Sequence, residues 1–297
     1  MTSIFVGAIK YSQANIYSPV ITSGGFYMGV LMMNGVISST GNVRIKYLQK
    51  LYLRKYRKKE GKFILEGYRI INEALNSNAD FETIFLTPSF YDSPEGQKIT
   101  NLVGRDMVVL VEEGLLNELA DTVTPQGVIG VVDEPVYHIN DFIDKGIILV
   151  LDRLQDPGNM GTVIRTAVAA GVAGIIVLKG SVDIYNLKVL RATMGAVFNI
   201  PIITDIELAA FKELLVSQLS TYNLIAADLS GKEYYYNINY NPRSMLVIGN
   251  EAHGVSREIL EMADRLIKIP IIGDIDSLNA AIAAGIIMYK ALEEKIE

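Results

Sequence analysis

Three short stretches of the chain combine glycine with side chains that can do polar chemistry. The first, QDPGNMGTVIRTA at residues 155 to 167, follows the apolar run IILVLDRL and carries Asn159 and Arg165. Pro157 and Gly158 predict the end of a strand, and Asn159 is expected to cap the helix that follows. Arg165 then projects from a surface of small residues, where a ligand can reach it. A capped helix with one solvated arginine explains the same pattern.

The second stretch, LVIGNEAHGVS at residues 246 to 256, places Gly249 and Gly254 around polar residues. Two glycines permit a turn whose backbone amides point at a ligand, and Glu251 can accept hydrogen bonds from a cation or a hydroxyl. A plain strand-to-helix turn, with Ser256 as the N-cap and Glu251 in solvent, is the competing interpretation.

The third stretch, IPIIGDIDSLNAAIAAG at residues 269 to 285, predicts a helix capped by Asp276 or Ser277. Ser277 and Asn279 would offer a hydroxyl, an amide and free backbone N–H groups to a polar ligand at the helix start. The small residues that follow indicate close packing, which helix-on-helix contact through alanines also explains.

The composition excludes several kinds of site. The chain has no cysteine and two histidines, so thiolate nucleophiles, disulfides and thiolate metal sites are excluded, and we expect no metal. The three stretches match neither the dinucleotide-binding fingerprint nor the P-loop, which disfavours an ordinary oxidoreductase and an NTPase. No apolar run reaches about 18 residues, so we expect no membrane span and a cytoplasmic protein.

The alternation of elements predicts an α/β fold. From residue 146 onward, near-continuous apolar strands alternate with helices, which is typical of a parallel sheet covered on both faces. Ligands bind at the carboxyl ends of such strands, where all three stretches lie. The predicted domains are an atypical, poorly ordered extension (1–40), a smaller α/β domain (41–135), a linker (136–145) and a larger domain (146–297).

A basic segment suggests a polyanionic partner despite the net charge of -6. Residues 43 to 62 carry nine Lys or Arg against one Glu, with three interleaved tyrosines that could stack on bases. A solvated amphipathic helix, whose apolar face packs on the domain, is the alternative. The residues expected to contact RNA phosphates are Lys46, Lys50, Arg54, Lys55, Arg57, Lys58 and Lys59.

The order and spacing of the three stretches resemble a known set of motifs. GNMGTVIRTA, IGNEAHGVS and IPIIGDIDSLNAAIA resemble the signature motifs of the SpoU/TrmH branch of the SPOUT methyltransferases. SVDIYNLKVLRATMGAVF resembles that branch's intermediate segment. RKKEGKFILEGYRIINEAL and DTVTPQGVIGVV resemble its N-terminal RNA-binding domain, related in fold to ribosomal protein L30e. The resemblance runs from about Asn42 to the C-terminus and leaves out residues 1–40.

The resemblance implies an enzyme that transfers methyl groups from S-adenosylmethionine to ribose 2′-hydroxyls of RNA. It also implies a deep C-terminal trefoil knot and a homodimer whose site draws residues from two subunits. The L30e-like domain favours ribosomal over transfer RNA as the substrate. An RNA-binding assembly factor that has lost the chemistry, and a transfer RNA 2′-O-methyltransferase, are the alternatives.

The resemblance also assigns roles to residues of this chain. Arg165 would act either as a general base or as a group that orients and stabilises the 2′-oxygen. Gly158 and Gly161 would leave room for the ribose and the cofactor. The catalytic set that the motifs imply is Arg165, Asn159, Glu251, Ser277 and Asn279. The cofactor-binding set is Gly249, Ile269, Leu278, Asn279 and Gly254.

Overall fold

The computed structural model describes residues 35 to 296, and they contain two β-sheets of four and seven strands. Most of the predicted extension, residues 1–34, lies outside the described residues. Within the described part of it, the Ile37 amide donates to the Leu110 carbonyl at 2.9 Å, and the Ile37 carbonyl accepts from the Glu112 amide at 2.9 Å. This short stretch is therefore hydrogen-bonded to the first sheet, while the poor order expected for residues 1–40 stays a prediction.

The first part of the chain builds the four-stranded sheet, in the order β1-β4-β2-β3. Strands β2 and β3 are parallel, and the other two pairs are antiparallel. The elements are α1 (Val43–Leu51), α2 (Arg54–Glu60), β1 (Lys62–Glu66), α3 (Tyr68–Asn76), β2 (Phe81–Leu86), α4 (Pro88–Tyr91), α5 (Pro94–Val103), β3 (Val108–Leu110), α6 (Glu113–Leu119) and β4 (Val128–Asp133).

The basic segment forms two helices. Leu53, between them, has extended backbone angles (φ -94°, ψ 124°), so the segment breaks after α1. Ile45, Leu48 and Leu51 are fully buried on one side of α1. The apolar face expected of an amphipathic helix is therefore present and packs on the first sheet.

The second part of the chain builds the seven-stranded sheet, in the order β7-β6-β5-β10-β8-β11-β9, and every neighbouring pair is parallel. The predicted α/β fold with a parallel sheet is confirmed. The elements are β5 (Ile148–Leu151), α7 (Pro157–Ala169), β6 (Gly174–Leu178), α8 (Leu187–Thr193), β7 (Ile202–Ile206), α9 (Leu208–Ser217), β8 (Asn223–Ala227), β9 (Glu233–Tyr234), β10 (Ser244–Ile248), α10 (Arg257–Leu260), β11 (Arg265–Lys268) and α11 (Ala280–Ile296).

The strand order changes direction between β5 and β10. From β5 the chain proceeds through β6 and β7 toward one edge, while β8, β9 and β11 lie on the other side of β10. Loops that follow strands on either side of such a switch point diverge and leave a crevice at the carboxyl ends. The three polar stretches follow β5, β10 and β11, so the topology gathers them at this crevice.

The two sheets are joined by a shared core. Phe63 of β1 stacks on Tyr185 with ring centroids 4.3 Å apart, and both side chains are buried. The Arg57 guanidinium pairs with the Asp183 carboxylate at 2.6 Å, although these residues belong to different parts of the chain. From Gly35 onward the chain forms one compact unit, and the predicted boundaries at residues 41, 135 and 145 remain predictions. Among residues 35 to 296, no helix is both long and apolar enough to cross a membrane.

Candidate active site

The loop after β5 leads into α7 through an aspartate cap. Asp156 is the N-cap of α7, and its Oδ1 accepts a hydrogen bond from the Asn159 amide at 2.7 Å. Pro157 occupies the first helical position, where its missing N–H costs nothing. The prediction that Asn159 caps the helix is therefore wrong. Because Asp156 takes that role, the Asn159 side chain is free to make contacts elsewhere.

The loop after β10 folds back on itself. Asn250 Oδ1 accepts from the amides of Ala252 and His253, at 2.9 and 3.0 Å, while the backbones of Asn250 and Gly254 pair with each other. A side chain at Gly249 would bring its Cβ to 2.2 Å from the Gly254 carbonyl carbon. Glycine at position 249 is thus needed for the close approach of the two arms of the loop.

A chain of hydrogen bonds connects the three loops. The Asn159 side-chain amide donates to Glu251 Oε1 at 3.1 Å, and Asn159 Oδ1 accepts from the Asn279 side-chain amide at 2.9 Å. Glu251 also accepts from the backbone amides of Gln155 and Asp156, at 3.2 and 3.0 Å. The structure therefore brings together three predicted catalytic residues that are far apart in the sequence.

Glu251 is held as a carboxylate. Partial burial pushes the pKa of the Glu251 carboxyl upward, but hydrogen bonds from the Asn159 side chain and from backbone amides outweigh burial and lower that pKa below its ordinary value. At neutral pH this ionised acceptor fixes the orientation of Asn159, because the Asn159 NH₂ group must face it and the Asn159 oxygen must point the other way.

Asn279 has a second role, as the cap of α11. Its Oδ1 accepts from the amides of Ala281 and Ile282, at 2.9 and 3.2 Å. The prediction that Asp276 or Ser277 caps this helix is therefore wrong, because the helix begins later than expected. The arrangement ties the start of α11 to α7 through Asn159.

A cavity of about 380 Å³ opens beside this hydrogen-bond chain, at the carboxyl ends of β8, β10 and β11. Four of the predicted cofactor residues line it, whereas Asn279 does not and instead bonds to Asn159. Ser277 is exposed and lies on the cavity wall as well. The four lining residues are Gly249, Gly254, Ile269 and Leu278.

The cavity fits the predicted cofactor. Its volume falls in the range of about 300–1,000 Å³ that is typical of small-molecule sites. Ile269 and Leu278 offer apolar contacts to a ring, while the glycine-bearing loop after β10 offers backbone polar groups. Gly254 has a φ of 67°, a left-handed conformation that favours glycine and presents its backbone to the cavity.

Two carboxylates that the motifs did not indicate also support this region. Asp152, buried at the end of β5, accepts a 2.6 Å hydrogen bond from the Ser256 amide and thereby anchors the loop after β10. Asp228 lines the cavity after β8. Both are polar residues at the end of an apolar strand, and that position is the signal that could have identified them.

Arg165 lies apart from the hydrogen-bond chain. Its side chain is exposed on α7 and makes no hydrogen bond or ion pair with any residue between 35 and 296.

The two glycines of the same motif, Gly158 and Gly161, do not line the cavity. Gly161 is buried against α8, where a Cβ would lie 2.4 Å from the Ala192 Cβ. The small size of Gly161 therefore serves helix packing, and its expected role of leaving room for the ribose stays a prediction.

The basic segment splits into free and internally bonded cations. Arg57 is buried, bonding to Asp183 and to the carbonyls of Leu51 and Tyr52, so its prediction as an RNA contact is wrong. Arg54 and Lys58 both pair with Asp205 but remain about half exposed. The other four predicted contacts, Lys46, Lys50, Lys55 and Lys59, are exposed.

Comparison with known proteins agrees with this picture. Residues 146–289 match the SpoU rRNA Methylase family, and residues 42–130 match the MRM3-like substrate binding domain. The chain is 30% identical to the 23S rRNA (guanosine(2553)-2′-O)-methyltransferase RlmP of Bacillus subtilis, over 85% of this chain and 97% of the relative. It is 30% identical to the human mitochondrial rRNA methyltransferase 3, over 80% of this chain and 69% of the relative.

Solved structures show the same similarity. The AdoMet-bound rRNA methyltransferase of Sinorhizobium meliloti superimposes with a TM-score of 0.77 at 31% identity, covering 88% of this chain and 98% of the other. The SpoU methyltransferase AviRb of Streptomyces viridochromogenes, in complex with AdoMet, gives a TM-score of 0.78 at 26% identity, covering 86% of this chain and 99% of the other. The predicted methyltransferase activity and cofactor agree with these relatives. The chain belongs to the SpoU rRNA methylase family.

Proposed function

We propose that this chain transfers a methyl group from S-adenosylmethionine to a ribose 2′-hydroxyl of ribosomal RNA. The observation that carries the proposal is the Glu251–Asn159–Asn279 hydrogen-bond chain beside a cavity of about 380 Å³. Ribosomal RNA is favoured because the similar proteins from Bacillus subtilis and human mitochondria are named as rRNA methyltransferases.

S-adenosylmethionine would supply an electrophilic methyl group, so the protein must mainly align the 2′-oxygen with it and manage one proton. Gly249, Gly254, Ile269 and Leu278 would hold the cofactor in the cavity. Asn159 would position the nucleotide from the cavity edge. Its orientation is fixed in advance by Glu251 and Asn279, so no reorganisation is needed when substrate binds.

Arg165 would act on the 2′-oxygen as a cation. A guanidinium keeps its proton in proteins, so stabilising negative charge on the oxygen is a less costly role than accepting the proton. In that case water or an RNA phosphate takes the proton. The exposed Arg165 has no partner among the described residues of its own chain, which fits a site completed by a second subunit.

A homodimer is part of this proposal. The start and outer face of α11 expose large apolar side chains, with Ile282 56% and Tyr289 49% exposed, and the preceding loop leaves Ile272 97% exposed. Apolar side chains grouped in this way mark interaction surfaces. Contact between two copies through α11 would cover them. The trefoil knot and the cytoplasmic location remain predictions of the sequence.

The exposed lysines of α1 and α2 would contact RNA phosphates. Lys46, Lys50, Lys55 and Lys59 are exposed, although Lys59 pairs with Glu60 at 3.5 Å, and the half-exposed Arg54 and Lys58 could contribute in part. Such contacts give affinity without sequence information. They would hold the RNA while the nucleotide is positioned at the cavity.

The test is methyl transfer in vitro with a matched pair of arginine variants. Ribosomal RNA from cells that lack the gene is incubated with the protein and S-adenosylmethionine labelled in its methyl group, and labelled ribose is mapped. Arg165→Lys keeps the cation but loses the planar fork, so we expect most activity to be lost at unchanged Tm. Arg257→Lys, on an exposed arginine of α10, is the control and should behave like the wild type.

Three results would contradict parts of the proposal. Near-wild-type transfer by Arg165→Lys would remove Arg165 from the reaction. Failure of the wild-type protein to bind S-adenosylmethionine in calorimetry, or to label any ribose, would favour an RNA-binding protein that has lost the chemistry. Labelling of transfer RNA in preference to ribosomal RNA would correct the substrate.

A further inference from the structure

Three consecutive tyrosines lie in β9, at the edge of the seven-stranded sheet, and in the turn that follows it. The rings of Tyr234 and Tyr236 are stacked, with centroids 5.5 Å apart and an angle of 10° between their planes. Both residues keep accessible surface, since Tyr234 is 38% and Tyr236 is 46% exposed. Neither lines the cavity at β8, β10 and β11, so the pair lies outside the proposed cofactor site.

The backbone between the two rings is held in place. The Tyr235 amide donates to the Lys268 carbonyl at 3.0 Å, and the Tyr235 carbonyl accepts from the hydroxyl of the buried Tyr240 at 2.6 Å. The Tyr235 ring meets the Tyr236 ring edge-on, with centroids 5.1 Å apart. Rings that are already ordered lose little conformational freedom when a ligand binds to them.

The pair lies one strand away from the cofactor cavity. Tyr234 of β9 is paired in register with Lys268 of β11, and Lys268 lines that cavity. Neighbouring strands are about 4.7–4.9 Å apart, so the aromatic pair begins next to the cavity wall. A ligand on the two tyrosines would therefore lie close to a molecule bound in the cavity.

The charges on β9 and β11 beside the rings are mainly positive. The Lys268 ammonium lies over the Tyr234 ring, 5.5 Å from its centroid, and Lys232 is exposed just before β9. Neither lysine forms an ion pair with a residue between 35 and 296. Glu233, the carboxylate between them in the sequence, is paired with Arg265 at 2.9 Å. The two unneutralised lysines favour an anionic ligand.

We propose that Tyr234 and Tyr236 bind an unpaired nucleobase of the substrate RNA by stacking, while Lys232 and Lys268 contact its phosphates. Aromatic rings together with cations are the combination that binds single-stranded nucleic acid, because every base has a face that can stack. The inference rests on the proposed function, since the base belongs to the RNA that is methylated. It goes further by assigning an RNA contact to the catalytic part of the chain, outside α1 and α2.

The experiment compares two RNA probes that differ only in whether their bases are available. Binding of a fluorescent oligoadenylate strand to the full-length protein is measured by anisotropy, alone and after pairing with oligouridylate. Tyr236→Ala should raise the Kd for the single strand about five- to tenfold, because one stacking contact is lost. The Kd for the duplex should not change, since its bases are already stacked and paired. With ribosomal RNA, the KM of methyl transfer should rise at unchanged kcat.

Matched variants separate stacking from charge and from folding. Tyr236→Phe keeps the ring and should restore single-strand binding, whereas Tyr234→Ala gives a second test if Tyr236→Ala does not fold. Lys232→Gln should weaken both probes and reduce the salt dependence of binding, because phosphate contacts do not require unpaired bases. Val216→Ala, at an 80% exposed position of α9, is the control and should change neither Kd.

Two results would overturn the stacking site. One is a single-strand Kd that stays at the wild-type value in folded Tyr234→Ala and Tyr236→Ala. The other is an equal loss of affinity for the single strand and the duplex, which would show that the rings do not contact unpaired bases. The proposed activity fails separately: a wild-type protein that binds the single strand through these tyrosines but labels no ribose would refute methyl transfer and leave the stacking site intact.

Discussion

The central position of Asn159 leads to a prediction about charge. Asn159→Asp changes one NH₂ group to an oxygen and leaves the shape unchanged. In the protein that NH₂ group donates to Glu251 Oε1 at 3.1 Å, while the Asn159 oxygen accepts from Asn279 on the other side. The variant therefore places two carboxylates in direct contact but keeps the hydrogen bond from Asn279.

The size of the effect follows from the distance and the exposure. Two unit charges about 4 Å apart interact by about 1 kcal/mol in water and about 4 kcal/mol near a protein surface. Glu251 is exposed and Asn159 is half-buried, so we expect the lower part of that range. The free energy of unfolding should fall by about 1–2 kcal/mol at pH 7. The deficit should shrink near pH 4.5, because one carboxyl of the pair takes up a proton.

Urea unfolding at pH 7 and pH 4.5 measures the change in stability. The rate of methyl transfer measures the effect of the substitution on activity. The rate of methyl transfer should fall about tenfold at pH 7, because the side chain at position 159 is no longer held in its orientation. Adding Glu251→Gln to the same chain removes the repulsion, since the new side-chain amide at position 251 would donate to the new carboxylate at position 159. We therefore expect the double variant to be more stable than the sum of the single variants by about 1 kcal/mol.

Additive single variants would refute this reasoning, because they would show that residues 159 and 251 do not interact in solution. The same conclusion would follow if the stability deficit of Asn159→Asp were equal at pH 7 and pH 4.5. Either result would leave the hydrogen-bond chain without a role in orienting Asn159.

Three further changes test other parts of the structure. Gly249→Ala should lower the free energy of unfolding by about 1–3 kcal/mol in urea and weaken S-adenosylmethionine binding in calorimetry, because the new Cβ would lie 2.2 Å from the Gly254 backbone. Gly114→Ala is the control, since a Cβ there has nothing within 4 Å, and it should change neither quantity. Arg57→Met leaves the Asp183 carboxylate, whose side chain is only 14% exposed, without its cation and should cost about 3 kcal/mol in the same assay, against less than about 1 kcal/mol for Arg54→Met at the exposed Asp205 pair. The pKa of Glu251 is lowered in the folded state, so its contribution to stability is present above the ordinary pKa of 4.5 and is lost as pH falls through the folded-state pKa. Glu251→Gln should therefore reduce the loss of stability on acidification. An unchanged dependence of stability on pH in the acid range would contradict this assignment.

Parts of the fold were readable because each segment carries its own signal. Near-continuous apolar runs predicted the parallel strands, and the loops after them predicted the crevice. Helices α4 and α5 also carry a local signal, since each begins with a capping side chain followed by proline, at Thr87-Pro88 and Ser93-Pro94. The same pattern, Asp156-Pro157, would have identified the cap of α7.

Other features depend on contacts between distant residues. The basic segment shows that cations are concentrated there, but whether Arg57 faces solvent is decided by Asp183, which lies 126 positions away. The small size of Gly161 likewise has its reason in Ala192 of another helix. Such roles cannot be read from local spacing, because the partner that determines them is identified only once the chain has folded.

The core shared by the two sheets has a consequence for how RNA can bind. Domains that share only a small polar interface usually move relative to each other. Here Phe63 stacks on Tyr185 and both side chains are buried, which restricts such motion. The separation between the substrate-binding part and the methyl-transfer crevice is therefore set by packed side chains. Under the proposed function, an RNA held by the exposed lysines of α1 and α2 would have to reach the crevice across a separation that domain motion does not adjust.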